Sequence, residues 1–264
     1  MTAPSSELLL EPEIRQACKQ LRLPTIAARA ASVASEAVRE GRTHLAYLAA
    51  LLEAELEDRA ERRRHRRVVE ARFPRLKRLH EFNFDEAPQI PAATVRELAT
   101  LGFLERAENV IFLGESGTGK SHLAVALGIE ACMHGRRVRF TTTAGLVNEL
   151  IEARDDRTLS RVVARYARVE LLVLDDLAYV PLASNEAELL FQVLDERSEL
   201  SAVVATTNLP FSEWTKVFPE PRLCKAVVDR LTFNAHIVET GTESWRFKKT
   251  MERQQRKGVR RKAG

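Results

Sequence analysis

Residues 114–121 read Gly-Glu-Ser-Gly-Thr-Gly-Lys-Ser, the spacing Gly-x-x-x-x-Gly-Lys-Ser. Glycines at these places let a backbone wrap a phosphate with its N–H groups turned inward. A short apolar run, Val110 to Leu113, precedes the loop, and a helical pattern follows to His134, with Gly135 as its stop. The loop therefore feeds a helix N-terminus, which adds partial positive charge. Lys120 is expected to reach the β- and γ-phosphates of ATP or a close analogue, and the Ser121 hydroxyl to ligate magnesium. The expected nucleotide-binding set is Gly114, Glu115, Ser116, Gly117, Thr118, Gly119, Lys120, Ser121 and His122.

Two further segments could supply the rest of a hydrolytic site. Leu171-Leu-Val-Leu-Asp-Asp176 is an apolar run ending in two acids. A buried strand delivers such carboxylates at its C-terminal end, where nucleotides sit in open α/β sheets. Asp175 would hold magnesium and Asp176 would orient and polarise the attacking water. Ala202-Val-Val-Ala-Thr-Thr-Asn208 ends in polar residues, and Asn208 would help to orient that water; the alternative is a turn-forming Asn ahead of Pro210. Arg230, in Ala226-Val-Val-Asp-Arg-Leu231, is either an arginine finger for a neighbouring subunit's site or a helix-surface arginine paired with Asp229 or Glu220.

The elements that must position these residues are short apolar runs alternating with helical patterns. Val110–Leu113, Val138–Thr142, Leu171–Leu174, Ala202–Thr206 and His236–Glu239 are the expected strands, preceded by a helix over Ala93 to Gly102. Continuously apolar strands separated by helices predict an α/β fold with a mostly parallel five-stranded sheet covered on both faces. The expected strand at 138–142 falls in sequence between the phosphate-loop strand and the Asp-Asp strand, so a further strand is expected between those two in the sheet.

Residues 1–72 are expected to form a small all-helical domain for a partner or DNA, cut into three helices at Pro24 and Gly41. Thr43 is the expected N-cap of the third, and Leu45, Leu48, Leu52 and Leu56 share one of its faces. Residues 73–92, with three prolines, read as a linker, 93–249 as the nucleotide domain, and 250–264 as a basic disordered tail.

At 264 residues, 45% apolar and 30% charged, the chain can bury a core under an ionic surface. No apolar stretch approaches a membrane span and no secretory signal is readable, so a cytoplasmic protein is expected. Cys18, Cys132 and Cys224 have no paired spacing and read as small buried apolar residues. The net charge of +4 conceals +6 over Glu57 to Arg78 and +8 over Arg246 to Gly264, leaving about −10 elsewhere. Such blocks suggest a polyanion, because neutralising phosphates releases condensed counterions. Scattered cations such as Arg136 or Arg139 are further candidates for DNA contact.

In this order, the four chemical segments resemble the Walker A, Walker B, sensor 1 and arginine-finger motifs of AAA+ ATPases. More narrowly, Gly114–Ala124, Leu171–Leu177, Asn208-Leu-Pro-Phe-Ser-Glu-Trp214, Val217-Phe218, Asp229-Arg230-Leu231 and the approach Leu79-His-Glu-Phe-Asn-Phe84 are similar to IstB transposition helper ATPases, relatives of the DnaC helicase loaders. The resemblance covers nearly the whole chain. It implies a three-layer P-loop sandwich and an ATPase that assembles on duplex DNA, holds ATP between protomers and hands a deformed target to a transposase. It also favours Arg230 as a finger acting in trans; a DnaC-like helicase loader is the alternative. Many AAA+ proteins carry Glu at the position of Asp176. Few residues follow Phe247, so a full helical lid is not expected, and Arg246 stands only as a candidate sensor 2 cation. A metabolic nucleotide kinase is disfavoured, since no second substrate pocket is readable.

Overall fold

The structure is a computed structural model that describes residues 4–242, 244 and 245. The chain divides into two compact units, Met1–Arg66 and Arg67–Gly264.

The first unit contains α1 (Pro4–Gln20), α2 (Pro24–Arg39) and most of α3 (His44–Ala71). Thr43 caps α3 by accepting from Ala46 N at 3.2 Å. Cys18, Ile26 and Leu51 form the small core, with Tyr47 packed against it. Glu55, buried on the same side of α3 as Leu51, accepts from Thr25 N at 2.8 Å and Ile26 N at 3.1 Å. A carboxylate thus satisfies N–H groups of the first turn of α2, which have no partner within their own helix. The leucines at 45, 48, 52 and 56 do share a face, but it faces solvent, Leu45 being 79% exposed.

The second unit is built on five strands: β1 (Val110–Leu113), β2 (Val138–Thr142), β3 (Leu171–Leu177), β4 (Ala202–Thr207) and β5 (His236–Glu239). They lie in the order β2-β3-β4-β1-β5, and every pairing is parallel. The strand between β1 and β3 is therefore β4. Strand side chains alternate between faces. Val110, Phe112, Val173 and Val204 pack on one side with α6 (Lys120–Met133), while Ile111, Leu172, Leu174 and Val203 pack on the other with α7 (Thr143–Asp155), α8 (Leu159–Ala167), α9 (Ser184–Arg197) and α10 (Pro221–Thr232). The result is a three-layer α/β sandwich.

Two details differ from the expectation. The helix read over 93–102 is two helices, α4 (Ala92–Leu98) and α5 (Gly102–Glu105). Leu101 between them adopts φ +68°, a left-handed conformation that interrupts an α-helix of L residues. The stretch read as a linker forms 3-10 turns at Leu79–Glu81 and Phe84–Glu86, and its Phe73, Leu79, Phe82 and Phe84 pack against the core around α6.

Arg197 is fully buried on α9, where it donates to Tyr166 O at 2.5 Å, Val169 O at 3.0 Å and Ala202 O at 2.7 Å. It thereby ties the end of α8 to β4, and burial pulls its guanidinium down to about 10. All three cysteines are free and buried, and burial pushes the Cys132 thiol up to about 12. The basic tail lies outside the described residues.

Candidate nucleotide site

The phosphate loop leaves the C-terminal end of β1 and enters α6 at Lys120. Gly117 and Gly119 adopt φ +88° and +105°, values that side chains disfavour. At Gly119 a Cβ would also lie 2.7 Å from Phe82 Cε2, so neither the conformation nor the space admits one. Lys120 is largely buried and its Nζ donates to Gly114 O at 2.6 Å and Glu115 O at 2.7 Å, folding the cation over the loop. The N–H groups opening α6 have no acceptor within the helix itself, and such a terminus favours an anion. His122, one turn in, meets Arg78 O at 3.0 Å and the Phe82 ring edge-on; burial holds its imidazole below the ordinary value.

The register between β3 and β4 shifts between Leu174 and Leu177. Asp176, inside that irregularity, adopts φ +56°. A bulge of this kind re-aims side chains: Asp175 is buried and Asp176 exposed. Ser121 Oγ donates to Asp175 Oδ1 at 2.9 Å, joining the start of α6 to the end of β3. Thr206, wholly buried on β4, donates to the same oxygen at 2.5 Å and accepts from Asp176 N at 3.0 Å. One hydroxyl therefore positions both acids. Asn208 follows β4, and its Oδ1 is buried with no hydrogen-bond partner among the described residues.

The last described residues strap the loop. Thr240 N donates to Leu113 O at 2.7 Å, Glu115 N to Gly241 O at 3.0 Å and Trp245 N to Gly117 O at 3.1 Å. The Thr118 and Thr240 hydroxyls meet at 2.6 Å. Gln89 Nε2 donates to Thr240 O at 3.0 Å and Trp245 Nε1 to Glu86, so the segment before α4 holds the strap from outside.

Lys120, Ser121, Asp175, Asp176 and Asn208 are thus gathered at the C-terminal ends of β1, β3 and β4. Arg230 is not among them. It sits on α10, 40% exposed, with its Nε donating to Asp195 Oδ1 at 2.8 Å and its Nη1 in an ion pair with Asp229 at 3.7 Å. Asn109 Nδ2 caps that helix, donating at 3.1 Å to the carbonyls of both Arg230 and Leu231. Arg246 lies outside the described residues.

The sequence profile described as IstB-like ATP binding protein matches residues 16–253. The chain belongs to this IstB-like family. Relatives of the IstB-like chain include a protein of Sinorhizobium fredii named as an insertion sequence ATP-binding protein, 40% identical over 90% of this chain and 80% of its own length. Another, from Pseudomonas aeruginosa, is named as an ATP-binding protein of insertion sequence IS21 and is 34% identical over 89% of each chain. Among solved structures, AMPPCP-bound DnaA from Aquifex aeolicus superposes with a TM-score of 0.55 at 22% identity, covering 70% of this chain and 56% of that one. The sandwich is the AAA+ P-loop fold, and the family is an ATP-binding one associated with insertion-sequence transposition.

The donor set of the IstB-like chain fits Mg-ATP. A lysine over a glycine-lined loop suits a polyphosphate, and the oxygen ligands Ser121 and Asp175 suit a hard divalent cation. Thr206 and the strap carried no signal in the sequence; both depend on which strands become neighbours.

Proposed function

We propose that this IstB-like protein is a magnesium-dependent ATPase that oligomerises on duplex DNA, with ATP between protomers, and assists the transposase of the same mobile element in target selection. The observation that carries the reading is the join of Ser121, Asp175 and Thr206 beside the Asn208 oxygen, which has no partner among the described residues. Magnesium, when bound, would screen the β- and γ-phosphate charge. Lys120 would leave the carbonyls of Gly114 and Glu115 for the phosphates. Ser121 and Asp175 would hold the cation, while Asp176 and Asn208 orient the water that attacks the γ-phosphorus. Arg230 would exchange Asp195 for the γ-phosphate of a neighbouring protomer. The helical unit is then a module for the transposase or DNA, and the protein works in the cytoplasm. The insertion-sequence names of the relatives favour transposition over helicase loading.

The test is ATP-stimulated assembly on duplex DNA at moderate salt, read by sedimentation, with hydrolysis measured in parallel. Arg230→Ala and Asp176→Asn should each bind ATP and fail to hydrolyse it, and mixing them should restore part of the activity. Absence of ATP-stimulated DNA binding, or capture of a replicative helicase in place of the transposase, would overturn the reading.

A further inference from the structure

A second cationic site lies at the opposite pole of the sheet. The parallel strands send their C-terminal ends to the phosphate loop, whereas Arg137, Val138 and Arg139 stand at the N-terminal end of β2, the edge strand. There Arg67, Arg72, Arg137, Arg139 and Arg165, with Glu70, line a cavity of about 230 Å³.

Three carboxylates answer these five guanidinium groups. Glu70 meets Arg67 at 3.3 Å, Glu170 meets Arg137 at 3.6 Å, and Glu149 pairs with Arg165. A local excess of two positive charges remains around a concave surface, where the field is focused. Arg67 and Arg139, both lining the cavity, each carry a buried Nε with no acceptor among the described residues. Arg72 makes no ion pair among the described residues and is exposed. Charges on an edge strand can serve merely to discourage strand addition. That role requires no cavity and no buried, unanswered Nε–H. Guanidinium forks match phosphate oxygens in pairs.

We propose that this cavity is a phosphodiester-binding site that seats the backbone of duplex DNA on the β2 edge. It rests on the reading of the protein as DNA-bound, and it assigns that contact to a surface away from the nucleotide. DNA and ATP can then be held by one protomer together.

The test is the salt dependence of duplex binding by the full chain with ATP. Each phosphate contact contributes about 0.9 to the slope of log K against log salt. Arg137→Ala/Arg165→Ala, two largely exposed side chains, should flatten the slope by about 1.8 and weaken binding on the order of 50-fold at ~0.1 M salt. ATP affinity should not change. Arg154→Ala/Arg161→Ala removes the same charge from exposed positions on α7 and α8 and should leave the slope intact. Arg137→Ala alone, with a slope loss of about 0.9, carries the test if the pair unfolds. A wild-type chain that binds no duplex overturns both this site and the reading beneath it. Wild-type binding with an unchanged slope in the pair, or an equal loss in the control, overturns the site alone. So does loss of polyglutamate binding in the pair with duplex binding intact, which would assign the cavity to an acidic protein.

Discussion

The nucleotide site and the helical unit use buried carboxylates in opposite ways. Asp175 is held by hydroxyls of Ser121 and Thr206, contributed by different elements, and on the proposed reading it would accept a cation in addition. Glu55 is saturated by Arg59 at 2.9 Å and by the two N–H groups at the start of α2. The first arrangement is poised for exchange and the second is closed. Burial alone therefore does not mark a functional acid; what its partners can release does.

The largest effect expected on this contrast comes from Lys120→Ala, which should weaken ATP binding roughly 100-fold or more, read by titration, with little change in unfolding temperature. Leu51→Ala should cost about 2–5 kcal/mol in urea unfolding, because Leu51 is one of few core residues of the helical unit. Thr206→Val keeps the shape of the side chain and deletes the shared hydroxyl. It should slow hydrolysis about 10- to 100-fold while ATP affinity stays within about threefold. An unchanged rate would remove Thr206 from the positioning of Asp175 and Asp176.

Glu55→Gln should cost about 1–3 kcal/mol. Burial pulls the Glu55 carboxyl up, but Arg59 and the N–H groups of Ile26 and Thr25 outweigh it and hold the group below 4.5. The folded-state value is depressed, so its stabilisation is present above pH 4.5 and is lost as pH falls through the folded-state value. Urea midpoints of the Gln variant should lack that segment of the acid limb. The smallest effect belongs to Leu52→Ala. Its side chain is 47% exposed, and stability should move by no more than about 0.5 kcal/mol.

The pair Leu51 and Leu52 also shows what the residues alone disclose. Spacing correctly places Leu45, Leu48, Leu52 and Leu56 on one face of α3, but a period cannot say which face meets a neighbour. Strands were legible because parallel strands buried on both sides are apolar throughout, and the phosphate loop because its glycines are required locally. The break at Leu101 was not legible, since leucine is ordinarily a helix former. Thr206 was hidden for a different reason: its task exists only once β4 lies beside the bulged end of β3.

The sheet order also bears on how the chain is made. β1 is the first strand to leave the ribosome, yet its two neighbours, β4 and β5, are the last. Thr118 meets Thr240 across 122 residues of sequence, and Trp245 N reaches Gly117 later still. The phosphate loop cannot take its final form until those residues have been synthesised and have folded back. A nascent chain carrying the whole Gly114–Ser121 motif is therefore still without the finished loop, and nucleotide capture becomes a late event in biosynthesis.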